Sequence, residues 1–243
     1  LITDLRSMAR YAITDIHGCA ATFRALLHEG LQLTTRDELY LLGDYLNKGP
    51  DSRGVLDEIL DLRRRGYQVV TLRGNHDQQL LEAMEEPDDE DLLRRWQDKL
   101  EWAVTLDSFG VGEPHHVQDR YLKLLDSLEW YVELEDYVLV HAGLNFKDPE
   151  KMWKDRDAML NLRGYDVEPA LLGGRPLVHG HVPQRLVEVR RALKSPSPKE
   201  IGLDTGCCYY KNVSFGNLVA LNLDTRALTV QPNIDRPYPI ARK

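Results

Sequence analysis

Short apolar runs in this chain repeatedly end in aspartate, asparagine or histidine beside a glycine. Residues 10–14 lead into Asp15-Ile16-His17-Gly18, residues 38–42 into Gly43-Asp44-Tyr45-Leu46-Asn47-Lys48-Gly49, and residues 68–72 into Arg73-Gly74-Asn75-His76-Asp77. Further on, residues 137–140 lead into His141-Ala142-Gly143, and Pro176-Leu177-Val178 into His179-Gly180-His181-Val182-Pro183. A short apolar run stopped by glycine reads as a buried strand. The pattern therefore sets metal-ligating side chains at the carboxyl ends of several strands, where an α/β fold gathers its ligands. One such segment alone is no more than a turn, but turn chemistry does not demand histidine at positions 17, 76, 141 and 181 together.

Helical stretches fill the intervals. Residues 20–28 place Phe23, Leu26 and Leu27 on one face, and residues 52–65 repeat Val55, Leu56, Ile59 and Leu60 at helical spacing until Gly66 stops them. The middle of the chain loses its strands. Residues 78–84, 89–106 and 119–128 read as helices, which predicts a helical insert at about 80–130 packed beside the site as a cap. Strands return at 137–140, 177–178, 200–204, 218–223 and 228–231, so the second half is expected to be β-rich. The sequence predicts one domain over residues 10–232 and a proline-containing surface tail over 233–243. Met8 reads as the natural start, with residues 1–7 a remnant ahead of it.

A chain of 243 residues can bury a substantial core. No apolar run approaches the ~20 residues that span a bilayer, so no membrane partner is expected. A net charge of -8 argues against general nucleic-acid binding, which needs clustered lysine and arginine. Cys19, Cys207 and Cys208 cannot form a closed disulfide set, which points to a reducing cytoplasm.

Two divalent ions held close together clamp a phosphate, acidify a water and stabilise both ends of an in-line displacement. Such a pair needs hard oxygen or imidazole donors, one carboxylate among them bridging both ions. The sequence offers Asp15, His17, Asp44, Asn75, His141 and His181. In an extended Asp-x-His segment the alternate residues point the same way, which predicts that Asp15 and His17 reach one ion together.

The ordered set Asp-x-His-Gly, Gly-Asp-Tyr-x-x-x-Gly-Pro-Asp-Ser, Leu-Arg-Gly-Asn-His, Val-His-Ala-Gly and Gly-His-x-Pro resembles the calcineurin-like metallophosphoesterase superfamily. Within it the chain is similar to the bacterial branch of the PPP-type serine/threonine protein phosphatases, from about Arg10 to Asp224, where Asp204-Thr205-Gly206-Cys207 also fits. The resemblance implies a β-sandwich of mixed sheets flanked by helices. It implies Asp15 and His17 on one ion, Asp44 bridging, and Asn75, His141 and His181 on the other. The two ions would be manganese, or iron, zinc or nickel. His76 matches the general acid, and Arg73 and Arg163 the phosphate arginines, with Arg156 as the fallback for Arg163.

Two departures bear on activity. The second motif commonly reads Gly-Asp-x-x-Asp-Arg-Gly, and here Asn47 and Lys48 replace the acid and the arginine. A neutral amide supplies no charge to raise the pKa of His76, which favours leaving groups of low pKa. Lys48 keeps the charge needed for phosphate but not the two-pronged geometry. The leading expectation is a metal-dependent phosphomonoesterase of the protein-phosphatase type, acting on a phosphorylated protein or a small phosphoester. The alternative is a symmetrical dinucleoside tetraphosphate hydrolase, towards which Asp77 and Asn47 lean. A third reading is a degenerate phosphate-binding member crippled by Asn47.

Other residues draw plainer expectations. His179 should orient its neighbour, His115 and His116 belong to a solvated loop, and His28 faces the carbonyls that end its helix. Trp96, Trp102, Trp130 and Trp153 are expected to pack, with Trp102 the one candidate for stacking on a base.

Overall fold

The structure, a computed structural model, describes residues 7–92, 94 and 100–235. Strand β1 (Arg10–Ile13) lies parallel to β2 (Glu38–Leu41), which lies parallel to β3 (Gln68–Thr71). On the far side of β1, β8 (Asn217–Asn222) and then β9 (Leu228–Pro232) add antiparallel, completing the order β3-β2-β1-β8-β9. A second sheet, β4-β5-β6-β7, contains β4 (Tyr131–Glu133), β5 (Val138–Val140), β6 (Leu177–His179) and β7 (Glu200–Gly202). In it β5, β6 and β7 run parallel, so each sheet delivers three strand ends to one edge.

Period-two alternation decides which side chains enter which layer. Ala12, Tyr40 and Leu42 meet Leu139, Val178 and Ile201 between the sheets. Their neighbours Ile13, Leu39 and Leu41 face the other way, against Phe23, Leu26, Val55 and Ile59 of the helices α1 (Ala20–Ala25, continued by a π turn to Gly30) and α2 (Ser52–Arg64). These are the mixed sheets flanked by helices that the motifs implied.

The cap is helical where it is described. Helices α3 (Asn75–Glu85), α4 (Leu100–Phe109) and α5 (Asp119–Asp126) bury Leu80, Trp102, Leu106 and Tyr121 in the same cluster as α2. Trp102 is only 3% exposed, so it packs and has no free face for a base. Part of the helix expected over 89–106, with Trp96, lies outside the described residues, as do residues 1–6 and 236–243.

Four local expectations are corrected. Helix α3 begins at Asn75, not Gln78, which sets Asn75 and His76 on its first turn. Two helices were missed in the second half, α6 (Arg156–Asn161) and α7 (Leu186–Leu193). The alternation Leu186-Val187-Glu188-Val189 imitates a strand, but Leu186, Val189 and Leu193 pack at helical spacing, and the Glu188 carboxylate accepts the Arg185 N–H at 2.9 Å to cap α7. His28 Nε2 faces Glu58 Oε1 at 3.1 Å rather than helix-end carbonyls. Residues 233–235 are no surface tail. Asn233 is buried and donates to the Cys207 carbonyl at 2.9 Å, while Asp235 accepts the N–H groups of Ala21 and Thr22, both at 2.8 Å, at the start of α1.

Candidate metal centre

The turns after β1 and β2 are built from backbone that ordinary side chains avoid. Asp15 (φ 52°), His17 (47°), Asp44 (56°), Asn47 (68°), Lys48 (68°) and, after β6, His181 (69°) all adopt left-handed conformations. Aspartate, asparagine and histidine tolerate this region best among non-glycine residues, yet each instance costs about 1–3 kcal/mol. Asp15 and His17 therefore converge through a coiled turn; the extended alternation expected of Asp-x-His is not present.

Cross-bonding between the turns holds this geometry. His17 N–H donates to Asp44 O at 2.9 Å, Gly18 N–H to Tyr45 O at 2.8 Å, and Gly49 N–H to His17 O at 2.9 Å. A Cβ on Gly49 would stand 2.1 Å from His17 O, and one on Gly74 2.2 Å from Asp44 N, so these two positions accept only glycine. Asp77, buried on α3, accepts the N–H groups of Asp44 (2.8 Å), Tyr45 (3.0 Å) and Gly74 (3.0 Å), tying the second turn to the third.

At the junction of the two sheets sit the six residues singled out as ligands. Asp44 Oδ2 lies 3.5 Å from His17 Nε2 and Asp44 Oδ1 lies 3.5 Å from His141 Nε2, so its two oxygens face opposite imidazoles. Asp15 Oδ1 is 3.8 Å from His17 Nε2. Asn75 Oδ1 is 3.2 Å from His141 Nε2 and 3.0 Å from His181 Nδ1. His17 and His141 donate from Nδ1 to the carbonyls of Leu46 and Leu42, both at 2.9 Å, leaving an Nε2 lone pair on each. The His141 lone pair thus faces the Asp44 carboxylate and the Asn75 amide oxygen in a buried space, an arrangement that a cation resolves, while the His17 lone pair also meets Lys48. Burial and the charge of Asp15 push the Asp44 carboxyl up to about 8, and burial drives the imidazoles of His17 and His141 below their ordinary range. The donor set fits divalent metal: imidazole nitrogens and hard oxygens, with Asp44 common to two groups of residues that could hold an ion.

His76 and Asn47 adjoin this cluster: a His76 ring nitrogen lies within 4.8 Å of ligand atoms of His17 and Asp44, and the His76 backbone N–H donates to Asp44 Oδ1 at 3.0 Å. Asn47 Nδ2 is 2.8 Å from His76 Nδ1, and Thr105 of α4 donates its hydroxyl to Asn47 Oδ1 at 2.6 Å. The Asn47 backbone N–H lies 3.1 Å from the Thr105 oxygen, which leaves that hydroxyl's own hydrogen for Oδ1. The amide is thereby oriented to donate to Nδ1, and the His76 proton belongs on Nε2. Burial, then the charge of Lys48, holds His76 well below the ordinary histidine pKa.

The three cations expected at phosphate behave differently. Lys48 Nζ is 2.8 Å from His17 Nε2, and Arg163 donates from Nε to His181 Nε2 at 3.1 Å, so both reach the cluster. Arg73 is committed elsewhere: it donates to Gln78 Oε1 (2.7 Å) and to the carbonyls of Leu125 (3.0 Å) and Asp126 (2.9 Å), fastening α5 to the turn after β3. Arg73 was expected at the phosphate; here its guanidinium is held by these three hydrogen bonds. Arg156 stands over the Trp130 ring at 4.6 Å, beyond Asn75. His179 faces Glu200 Oε2 at 3.5 Å and stays outside the cluster. His115, His116 and Glu113 form a surface group that could hold an ion.

Sequence reasoning missed Thr105, whose position in an apolar helix gave no signal, and gave no role to Asp77 beyond its identity. It also left Asp204 without a role, although its motif was visible. Asp204 is buried, its carboxyl raised by burial and by the charge of Asp15, and it accepts the Gly206 N–H at 2.8 Å.

The family profile of the calcineurin-like phosphoesterases matches residues 8–209. The chain belongs to that family. A symmetrical bis(5'-nucleosyl)-tetraphosphatase of Nitrosomonas europaea is 34% identical over 137 residues, covering 56% of this chain and 45% of that protein. One from Acidovorax sp. is 46% identical over 76 residues, 31% of this chain and 26% of its own length. The chain thus spans about half or less of the curated relatives it matches. Among solved structures, a chain provisionally named a diadenosine tetraphosphatase superposes with TM-score 0.63 at 23% identity, covering 94% of this chain and 95% of that one. A cold-active protein tyrosine phosphatase superposes with TM-score 0.58 at 14% identity, over 95% and 78%. At these identities the superpositions show the fold.

Proposed function

We propose that this chain hydrolyses dinucleoside tetraphosphates symmetrically, at the central phosphoanhydride. The observation that carries this reading is the orientation of Asn47. An amide that donates to His76 Nδ1 opposes protonation of that nitrogen, so His76 offers its leaving group a neutral Nε2–H rather than an imidazolium proton. A hydrogen bond suffices for a departing nucleoside diphosphate, whose oxygen is a weak base; the alkoxide of a phosphoserine needs a full proton. The names of the curated relatives support the same choice over the protein-phosphatase expectation.

In this reading Asp15 and His17 would hold one divalent ion, Asn75, His141 and His181 a second, and Asp44 would serve both. When bound, the ions supply Lewis acidity and a more acidic water. Manganese is the first choice, with iron, zinc or nickel as alternatives, since the donor types suit all of them. Lys48 and Arg163 balance charge on the phosphate oxygens, and His76 faces the leaving group. Thr105 positions Asn47, and Arg73 positions the turn that carries Asn75 and His76.

Product analysis tests the proposal. With manganese, a dinucleoside tetraphosphate should yield two nucleoside diphosphates, at a kcat/KM at least about a hundredfold above that for a phosphoserine peptide. The reverse order would restore the protein-phosphatase reading. Metal binding without turnover of either substrate would favour a binding-only member.

A further inference from the structure

Beside the metal cluster, and sharing Asn75 with it, is a cavity of about 500 Å³ that the hydrolytic chemistry does not use. On its wall, Trp130 carries the guanidinium of Arg73 at 4.8 Å and that of Arg156 at 4.6 Å from the ring centre. Arg73 is fixed by three hydrogen bonds, as described above, whereas the Arg156 guanidinium is exposed and makes no hydrogen bond or ion pair with the described residues. Arg73 and Gln79 both line the cavity, and buried beneath its surface Arg73 Nε and Gln79 Oε1 have no hydrogen-bond partner among the described residues. Native proteins seldom leave buried donors and acceptors unpaired, and each costs about 1–3 kcal/mol.

The chemistry of the wall defines what fits. Glu82 and Asp157 line it too, each accepting a neighbouring amide at 2.8 Å, from Gln78 and Asn161. Two guanidiniums against two carboxylates leave the cavity close to neutral, which disfavours a run of phosphates. A ligand with hydrogen-bond donors and acceptors and a flat face fits better. The guanidinium of Arg156, stiffened by the indole behind it, presents such a face, and arginine planes stack on nucleobases. The cavity's volume exceeds what one nucleoside needs, and Asn75, which lines it, also belongs to the metal cluster.

We propose that this cavity is a nucleoside subsite. It receives the base and ribose of one half of a dinucleoside polyphosphate, with Arg156 on Trp130 as the stacking platform and the Gln79 amide meeting the polar edge. The proposal rests on the hydrolase reading above and names where its substrate lies.

The test is calorimetric titration of the manganese-loaded protein with ADP and, separately, with inorganic pyrophosphate. The same titrations are run on Arg156→Ala, Arg156→Lys and Gln79→Ala, and dinucleoside tetraphosphate turnover is measured alongside. Wild type should bind ADP about tenfold more tightly than pyrophosphate, the size of one lost stacking contact. Arg156→Ala should erase that preference, and Arg156→Lys should lose most of it, because lysine keeps the charge but not the plane. Pyrophosphate binding in each variant reports that the fold and metal cluster are intact. A preference that survives Arg156→Ala, or full rescue by lysine, overturns the subsite. If ADP preference depends on Arg156 but no dinucleotide is cleaved, the subsite stands and the hydrolase reading falls. Arg156-dependent binding of a phosphoserine peptide in place of ADP would overturn both.

Discussion

The metal cradle and the cavity beside it share Asn75 but are assembled by different means. The cradle is backbone work. Left-handed residues at 15, 17, 44, 47 and 48 are locked by cross-bonds between adjacent turns, and Gly49 and Gly74 allow the main chains to touch. The cavity is side-chain work: Arg73 reaches from the turn after β3 to α5, and the Trp130 ring carries both its guanidinium and that of Arg156 of α6. The difference teaches where tolerance should lie. A backbone cradle fails with one added methyl, whereas a side-chain wall can be trimmed residue by residue with the fold intact.

The hardest break is at the shared carboxylate. Asp44→Asn removes charge from the group whose oxygens face both His17 and His141, and kcat should fall by about a thousandfold or more. The same variant distinguishes loss of metal from loss of fold. Chelation should lower Tm in wild type and leave the variant's Tm unmoved.

Next comes the cradle's backbone. Gly74→Ala drives a Cβ to 2.2 Å from Asp44 N, and urea denaturation should report a loss of about 3 kcal/mol. Trimming the cavity at Gln79, by contrast, should cost no more than about 0.5 kcal/mol. Equal costs at the two sites would erase the distinction between them.

A finer test separates the amide from its orienter. Thr105→Val removes the hydroxyl that fixes Asn47, and dinucleotide kcat should drop about tenfold for about 1 kcal/mol of stability. Asn47→Asp supplies a charge beside His76 and should raise turnover of alkyl phosphates relative to the dinucleotide. If Thr105→Val leaves kcat unchanged, the orientation of Asn47 has no bearing on the reaction.

The mildest effect lies outside both regions. Arg10 at the start of β1 pairs with Asp136 at 2.7 Å and Asp224 at 2.7 Å, joining the turns of both sheets. Hydrogen bonding to Arg10 holds the Asp136 carboxyl below its usual 3.8. A lowered folded pKa means that the contribution is present above about pH 4 and fades as pH falls through the folded value. Asp136→Asn should therefore cost less than about 1 kcal/mol at pH 7, because the pair is solvent-screened, and progressively less as pH falls through the folded value. A difference that persists at low pH would show that packing, not charge, holds the clasp.

Much of the site was legible because its motifs are short. Each ligand stands within a few residues of a strand end, and apolar runs with glycine stops mark those ends in one dimension. Arg73 shows the limit. Its place beside Asn75 suggested phosphate, but carbonyls of Leu125 and Asp126, more than fifty residues on, claim its guanidinium. Trp102 and Trp130 show the same limit from both sides. No local pattern tells which indole is buried at 3% exposure in the helical cluster and which is left to carry two arginines.

The sequence by itself determined the order of the strands that bear ligands, the donor types, and the departures at 47 and 48, since these depend on residue identity and short-range backbone chemistry. Tertiary structure decided the rest. It turned the amide of Asn47 toward His76 through Thr105, folded residues 233–235 against α1, and gathered Arg73, Trp130 and Arg156 around one cavity. Those arrangements depend on contacts between residues far apart in the chain. Such contacts are fixed only when the sheets and cap close on one another, and burial then leaves each polar group a single partner to find.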